Sequence, residues 1–282
     1  MADFDFRNIG DLDDIKRQYD EFGYIIIRNI FNKDEISRIR NAFDNPNGVL
    51  KHQYKIPSGG GRDVILSLWN NPGNDVTGMV ARSEKIVNIC ENLLGGDIFH
   101  FHAKAILKLP SIGGQFVWHQ DYGYWYKQGF LYPDMMTVSI AVDENTKENG
   151  CLQVLRGSHM CGRLSHGFYE GEQMADPERV SKLKNKLKLE YVVLNQGDAV
   201  FFHSNLLHNS GNNMSSKRRL AYAIAYSAAY NDSVAEHPFA HYNPIEKVTD
   251  SAIAECENEE DLTGKVFLNP KDDITVKSKL AS

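Results

Sequence analysis

Trp118-His119-Gln120-Asp121 is the stretch from which the fold of this chain can be predicted. On an extended segment, residues two apart point to the same side, so the imidazole of His119 and the carboxylate of Asp121 can converge on one metal ion. A single His-x-Asp pair is nevertheless common by chance and usually marks a hydrogen-bonded surface pair. A metal site therefore requires at least one further ligand from another part of the chain.

His208 is the best candidate for that ligand, and it lies in Leu206-Leu207-His208-Asn209-Ser210-Gly211. Two histidines and one carboxylate that leave other coordination positions open are typical of non-haem Fe(II) oxygenases. The same ligand set also suits zinc, so a Zn(II) hydrolase remains an alternative at this point. We expect the other two nearby histidines to have other roles, His159 in a turn and His203 behind the ligands or in the core.

Arg219 begins an apolar segment with alternating pattern that runs to Tyr230. On a strand, Arg219 shares one face with three alanines, Ala221, Ala223 and Ala225, which leaves room for a ligand. A guanidinium can hold a carboxylate through two parallel hydrogen bonds, so a dicarboxylate anchored there could chelate the metal with its other end. This is the binding mode that 2-oxoglutarate requires. The alternative is a strand-end arginine in solvent, where most arginines lie.

Several motifs, taken in order, resemble those of the phytanoyl-CoA dioxygenase family, and the chain is also similar to the ectoine hydroxylases. The motifs are Trp118–Asp121, Glu148–His159, Gly197–His203, Leu206–Gly211 and Arg219. The resemblance runs from about Tyr19 to Tyr230. It implies a mainly β fold with flanking helices, a double-stranded β-helix (jelly-roll, cupin-like) barrel, and Fe(II)- and 2-oxoglutarate-dependent oxygenation.

The resemblance also implies roles for individual residues. His119, Asp121 and His208 would hold Fe(II), Arg219 would anchor 2-oxoglutarate as cosubstrate, and O2 would react there, with ascorbate as a possible reductant. The products would be succinate, CO2 and a small organic substrate hydroxylated at an aliphatic C–H. Related halogenases lack the carboxylate, so Asp121 favours hydroxylation, with desaturation and ring formation still open. A cupin-like metal-binding protein without oxygenase turnover is a further alternative.

Three more positions are implied to lie near the cosubstrate. Those that match Lys104 and Lys108 are close to it in the family, so one of these ammonium groups could assist Arg219. The position that matches Ser139 often carries a tryptophan that touches the cosubstrate, so serine predicts a roomier pocket or a different hydrogen bond. The substrate itself stays open between a fatty acyl thioester, an amino acid, an ectoine-like molecule and a specialised metabolite.

Alternation on the segment Phe99–Pro110 places five residues on one face of a strand, namely His100, His102, Lys104, Ile106 and Lys108. This polar face could lie in water or inside the barrel. After the metal motif, Tyr122, Tyr124, Trp125 and Tyr126 are predicted to wall the pocket mouth or to pack inside the barrel.

The other predicted elements define one domain over residues 1–282, with a helical part at 13–96, a barrel core at about 97–230 and an extension at 231–282. We expect helices at Asp13–Phe22, from Asn32 onward and at Thr77–Leu94, and a hairpin at Asn149-Gly150 between the strand Met135–Val142 and Cys151–Arg156. Three segments are predicted to be irregular or mobile, namely Met1–Asp11, Asn45–Asn74 and Ser165–Lys188.

Composition is that of an ordinary globular protein, with 42% hydrophobic and 24% charged residues in 282. The formal net charge of −6 gives no electrostatic footprint for nucleic acid or for an anionic membrane surface, so neither is expected as a partner. The four cysteines have no metal-finger or redox spacing and are expected as free thiols in the cytoplasm. The sequence makes no prediction of oligomeric state.

Overall fold

The computed structural model describes residues 2–58, 61–169, 171–236 and 241–268. Its helices are α1 Leu12–Phe22, α2 Lys33–Asp44, α3 Val76–Arg82, α4 Glu84–Leu94, α5 Asp121–Trp125, α6 Pro177–Lys184 and α7 Ala252–Glu255. Its strands are β1 Asp3–Asp5, β2 Tyr24–Arg28, β3 Tyr54–Pro57, β4 Asp63–Asn70, β5 Ile98–Lys108, β6 Phe116–His119, β7 Met135–Ala141, β8 Leu152–Leu155, β9 His166–Tyr169, β10 Glu172–Ala175, β11 Leu189–Val192, β12 Ala199–His203, β13 His208–Ser210, β14 Arg219–Ala228 and β15 Val266–Phe267.

Two sheets form the body of the molecule. The large sheet has the strand order β1-β2-β12-β7-β14-β5-β4-β15, with β3 beside β4, and the small sheet has the order β11-β8-β13-β6. Strands β9 and β10 form a separate antiparallel pair. Residues of both sheets line one cavity of about 80 Å³, so the sheets face each other across it. The mainly β architecture with flanking helices is as predicted.

Helices α3 and α4 pack against the large sheet, and α3 covers the face that is turned away from this cavity. On β14, the hydroxyl of Tyr222 donates to Thr77 O at 2.9 Å and that of Tyr226 donates to Ala81 O at 2.7 Å, both on α3. Ala223 of the same strand lines the cavity. The alternation predicted for this strand is therefore observed, with tyrosines toward the helices and alanines toward the ligand space.

Two helix ends have the caps that their sequences predict. The side chain of Asn32 accepts from the backbone of α2 while Glu35 bonds back to the Asn32 N–H, which forms a complete capping box. Gly23 ends α1 with φ 80°, in the left-handed region that glycine adopts at little cost.

The single helix predicted over Thr77–Leu94 is wrong, because α3 and α4 are separate helices that meet at Ser83. Ser83 is extended, with φ −62° and ψ 139°, and its hydroxyl donates to Val80 O. Backbone bonds from Glu84 N to Val248 O and from Val248 N to Arg82 O hold a distant segment against the break. A contact from so far along the chain overrides the continuous helical pattern.

The three segments predicted to be irregular contain regular structure, and this prediction is wrong for each. β1 pairs in parallel with β2, β3 and β4 form an antiparallel pair inside Asn45–Asn74, and β9, β10 and α6 fill most of Ser165–Lys188. Gly59 and Gly60, which belong to the predicted mobile loop, lie outside the described residues. β1 lies at an edge of the large sheet, where a polar strand is tolerated. In Asn45–Asn74 the many glycines, asparagines and prolines outweighed the apolar run Val64–Trp69, which forms most of β4.

The hairpin predicted at Asn149-Gly150 is also wrong. Strand β7 pairs with β12 and β14 in the large sheet, whereas β8 pairs with β11 and β13 in the small one. The turn thus carries the chain from one sheet to the other. Gly150 has φ 79°, and a Cβ there would lie 2.2 Å from Gly211 O, so only glycine fits.

A β-bulge on β5 interrupts the predicted alternation of faces at one residue. His102 pairs with Ala225 but His100 pairs with Tyr226, so Phe101 is the extra residue and the faces exchange there. Lys104 and Ile106 line the cavity, as expected for that face, but His100 packs against the ring of Tyr226 on the helix side. The prediction that His100 shares a face with Lys104 is therefore wrong.

The C-terminal segment adds β15 to the edge of β4 and places Lys265 in a buried ion pair with Asp75, Nζ to Oδ1 2.6 Å. All four cysteines are free thiols, as predicted. Among the described residues, every helix is too short or too polar to cross a membrane.

Candidate metal centre

His119, Asp121 and His208 come together at the end of the cavity. One ligand atom from each lies within 4.8 Å of the others, and these are the residues predicted from the sequence. His119 and His208 are directly paired residues of the neighbouring strands β6 and β13, with ring centroids 4.1 Å apart. Strand pairing thus joins two histidines that are far apart in the sequence.

Each histidine is oriented by a hydrogen bond to the main chain. Nδ1 of His119 lies 2.7 Å from Val117 O and Nδ1 of His208 lies 2.9 Å from Leu206 O. A carbonyl oxygen can only accept, so Nδ1 carries the proton in both rings and Nε2 is left with a free lone pair. Such bonds from the second ring nitrogen are characteristic of metal-binding histidines.

Asp121 reaches the same point by a different route from the one predicted. β6 ends at His119, Gln120 is extended, and Asp121 is the first residue of α5, so the motif spans a strand-to-helix corner rather than one extended segment. The expectation of a continuous strand was wrong in this respect. Thr137 on β7 donates a 2.7 Å hydrogen bond to Oδ2 of Asp121, which leaves Oδ1 on the side of His119.

The electrostatics of the three groups favour metal binding. Burial lowers the pKa of both histidines below the usual value of 6.5, so both are neutral and able to coordinate. Burial alone would raise the pKa of Asp121, but the charge of Lys104 and the hydrogen bond from Thr137 hold it below its usual range. The site therefore offers two neutral nitrogens and one carboxylate at neutral pH.

Arg219 lies on the wall of the same cavity and is 4% exposed. One terminal nitrogen donates to Gly150 O, while Nε is buried without a hydrogen-bond partner among the described residues. Burial lowers the pKa of Arg219 to about 10, which still leaves it charged at neutral pH. A buried guanidinium with an unused donor is the structural requirement for a carboxylate anchor.

Lys108 is a second buried cation beside Arg219, its register partner across β5 and β14. Its Nζ donates to Ser210 Oγ at 2.8 Å and to Gly211 O at 2.5 Å. Burial and the charge of Arg219 lower its pKa well below the usual value. Two buried cations side by side repel each other. A carboxylate placed between them would stabilise the charged form of both.

Lys104 and Ser139 also line the cavity, at different places. Nζ of Lys104 lies 3.9 Å from Oδ1 of Asp121, at the end with the metal ligands, while Lys108 lies at the end with Arg219. Ser139 from β7 and Lys104 from β5 both pair with Ala223 of β14, so their strands lie on either side of this residue in the cavity wall. All residues proposed from the sequence are near the cavity.

The aromatic residues after the metal motif are mainly packing residues. Tyr122 and Trp125 are 4% exposed and pack in a cluster with Phe99, Phe101 and Phe130. Tyr124 lies beside the ligands, with its ring 5.6 Å from that of His119. The barrel-packing alternative is thus correct for Tyr122 and Trp125.

His159 and His203 lie together, away from the three ligands, with ring centroids 5.3 Å apart. His159 sits in a 3-10 turn and Nε2 lies 2.9 Å from Asp20 O, as expected of a turn residue. Sequence analysis missed Thr137, Gln120 and His166, which contact the ligands or the main chain between them. Thr137 was predicted only as part of the strand Met135–Val142, and no pattern in the sequence indicates its hydrogen bond to Asp121.

Similarity to known proteins extends over most of the chain. The family model described as Phytanoyl-CoA dioxygenase (PhyH) matches residues 19–221. L-proline trans-4-hydroxylase of Streptomyces griseoviridis is 26% identical over 239 residues, which cover 77% of this chain and 87% of that protein. Ectoine dioxygenase of Streptomyces anulatus is 30% identical over 240 residues, which cover 79% of each.

Among solved structures, EctD from S. alaskensis with 2-oxoglutarate and 5-hydroxyectoine has a TM-score of 0.71 with this chain. The two sequences are 20% identical, and the match covers 83% of this chain and 86% of that one. This likeness confirms the predicted jelly-roll fold, the double-stranded β-helix.

Proposed function

Since this chain belongs to the phytanoyl-CoA dioxygenase family and is an Fe(II)- and 2-oxoglutarate-dependent dioxygenase, we propose that His119, Asp121 and His208 hold its iron and Arg219 anchors its cosubstrate. The observation that supports these roles is one cavity lined by two histidines and a carboxylate as a ligand set and by the buried Arg219, with the buried Lys108 directly beside Arg219. Two neutral nitrogens and one carboxylate match the donor set of this class of iron enzymes.

The buried cations are the reason to place a dicarboxylate in this cavity. Among the described residues, Arg219 and Lys108 make hydrogen bonds only to carbonyl and hydroxyl oxygens, and these do not neutralise the two charges. A buried cation without a counter-charge is costly, so an anionic group is favoured beside them. One carboxylate of 2-oxoglutarate supplies this charge, while the other end of the molecule is free to chelate iron.

Iron, 2-oxoglutarate and O2 together supply the oxidising chemistry, with succinate and CO2 as products, and the substrate is hydroxylated at an aliphatic C–H. The protein's own residues orient the ligands, neutralise the cosubstrate and exclude water from a largely apolar cavity. A zinc hydrolase would give no role to Arg219 and Lys108, because zinc-activated water needs no dicarboxylate anchor.

An anaerobic titration tests the assignment of these residues. Wild-type protein with Fe(II) should develop a visible charge-transfer band when 2-oxoglutarate is added. The His208→Ala variant should lose the band because it loses a ligand. A band of equal intensity in His208→Ala would contradict the proposed ligand set.

For the substrate we propose a small organic molecule. The named relatives are an L-proline hydroxylase and ectoine dioxygenases, so L-proline and ectoine are the first compounds to test, with an acyl-CoA thioester as the comparison. The measurement is succinate release above the level without substrate. If the protein binds iron but no compound of a broad substrate panel raises succinate release, a metal-binding protein without turnover would be favoured.

We further propose that the chain acts as one domain in the cytoplasm, on a small molecule rather than on nucleic acid or a membrane. Strands from the N-terminal part, β2 and β4, lie in the same sheet as β5 and β14, which supports a single folding unit. Chemical denaturation should then give one cooperative transition by two independent probes. Cell fractionation would test the location.

A further inference from the structure

Gln120 occupies the corner between two of the proposed metal ligands. It is the single residue between His119, the last residue of β6, and Asp121, the first of α5, and it is 0% exposed. A small rotation of the Gln120 backbone would move both ligands relative to each other. The angle at this corner therefore determines whether the imidazole and the carboxylate converge.

The side chain of Gln120 holds the corner from three directions. Its Nε2 donates to Gly162 O at 2.8 Å and to Asn205 O at 2.7 Å, while its Oε1 accepts from Leu164 N at 2.7 Å. Both amide donors and the amide acceptor are thus in use. A carboxylate or a hydrocarbon at this position could not make the same set of bonds.

His166 holds the same corner through the main chain. The Gln120 N–H donates to Nε2 of His166 at 3.0 Å, and Nδ1 of His166 lies 3.0 Å from Leu164 O. Since Leu164 O can only accept, Nδ1 carries the proton and Nε2 receives the bond. His166 also fits closely against α5, because a Cβ at Gly123 would lie 2.2 to 2.4 Å from its ring atoms.

We propose that Gln120 and His166 are positioning residues, which fix the strand-to-helix corner and thereby the geometry of the metal centre. This inference rests on the proposed metal site. Gln120 bonds to Gly162 O and Leu164 N, and His166 bonds to Leu164 O. The segment 162–166 is therefore part of the metal site although it contributes no ligand. Residues that orient metal ligands typically contribute about 10- to 100-fold to metal affinity.

Cobalt(II) binding to the metal-free protein tests the proposal without turnover. His166→Phe keeps a ring but removes both hydrogen bonds, whereas His166→Gln retains an acceptor close to the place of Nε2. We expect His166→Phe to bind Co(II) about 10- to 100-fold more weakly than wild type and with an altered d–d spectrum. His166→Gln should recover most of the affinity and the wild-type spectrum.

Thermal unfolding of each metal-free variant separates positioning from general destabilisation, since a purely structural role would lower the melting temperature and leave the Co(II) spectrum unchanged. Wild-type affinity and spectrum in folded His166→Phe would overturn the proposal. If His166→Phe does not fold, Gln120→Met, which loses all three side-chain bonds, is judged by the same two outcomes. A wild-type protein that binds no Co(II) would instead refute the metal site itself.

Discussion

Arg218 and Arg219 are neighbours in the sequence with opposite surroundings. Arg218 is partly exposed and pairs with Asp44 and Asp143, its Nε donating to Asp143 Oδ2 at 3.0 Å. Arg219 points to the cavity and is 4% exposed. Arg218 directly precedes β14 and pairs with the two aspartates, whereas Arg219, the first residue of β14, lines the cavity.

We therefore expect Arg219→Leu to weaken 2-oxoglutarate binding by about 100-fold, since it removes charge-assisted hydrogen bonds from a buried site. Iron affinity should change little. Arg218→Leu is the matched control and should bind 2-oxoglutarate like wild type. The measurement is the midpoint of the charge-transfer titration, and equal midpoints for the two variants would place the anchor elsewhere.

Thr137 gives a second prediction at the residue scale. Thr137→Val removes the hydroxyl that donates to Asp121 and keeps the shape, so it should weaken Fe(II) binding by about tenfold. Thr137→Ser keeps the donor and should stay close to wild type. Competition with a chelator of known affinity measures the Fe(II) affinity of both variants. Wild-type affinity in Thr137→Val would show that Asp121 does not need the hydrogen bond from Thr137.

Single residues of the site were predictable where their chemistry is unusual. The His-x-Asp motif, His208 and Arg219 could be proposed because few other roles explain these residue types in that order. The bonds of Gln120 and His166 could not, because amide and imidazole groups occur everywhere and their partners are set only when distant loops meet.

At the scale of elements, the C-terminal strand β15 is held by a buried ion pair. Lys265 Nζ lies 2.6 Å from Oδ1 of Asp75, which also accepts a hydrogen bond from Gly78 N at the start of α3. Both side chains are almost fully buried, with 0% and 1% exposure. The pair therefore connects β15 to α3 in a region from which water is excluded.

Lys265→Met should destabilise the protein by about 3 kcal/mol, because it leaves the Asp75 carboxylate buried without its counter-charge. The double variant Asp75→Asn/Lys265→Met removes both charges and keeps a side-chain acceptor for the helix cap. The free energy of unfolding of this double variant should lie within about 1 kcal/mol of the wild-type value. Urea denaturation at pH 7 measures both, and a double variant no more stable than Lys265→Met would refute this explanation.

Helices and strands were predicted correctly where short sequence patterns specify them. They were predicted wrongly where contacts with residues far along the chain change the local structure. The caps of α1 and α2 and the strand β14 follow from short sequence patterns. The break at Ser83 and the change of sheet after Gly150 depend on Val248 and Gly211, which lie far along the chain. Such contacts leave no periodic signal in the segment that they change.

At the scale of the whole molecule, buried histidines link stability to pH. Burial lowers the pKa of His100 and His203 to about 3 and that of His166 to about 4. The unfolded chain binds a proton at each near the ordinary value of 6.5. Their stabilising contribution is therefore complete above pH 6.5. It is lost as the pH falls from there toward 4 for His166 and toward 3 for His100 and His203.

His100 allows this to be tested away from the metal centre, because it is 8% exposed and both ring nitrogens are without a hydrogen-bond partner among the described residues. Between pH 7 and pH 5 it should account for about 2 kcal/mol of lost stability. His100→Phe should reduce the loss by about that amount. His241→Gln, at an exposed position, is the control, and equal slopes for His100→Phe and wild type would contradict the prediction.

The sequence by itself was enough to propose the three ligands and the cosubstrate anchor, since metal-ligand chemistry acts through the types and local order of residues. The class of fold followed from the family that its ordered motifs resemble. Only the tertiary structure decided that the metal motif bends from strand to helix, that Lys108 joins Arg219 while Lys104 joins Asp121, and that Gln120 and His166 hold the corner. These features depend on strand register and on loops packed across the two sheets. Register and packing are properties of the whole chain, because each depends on contacts between segments far apart in sequence.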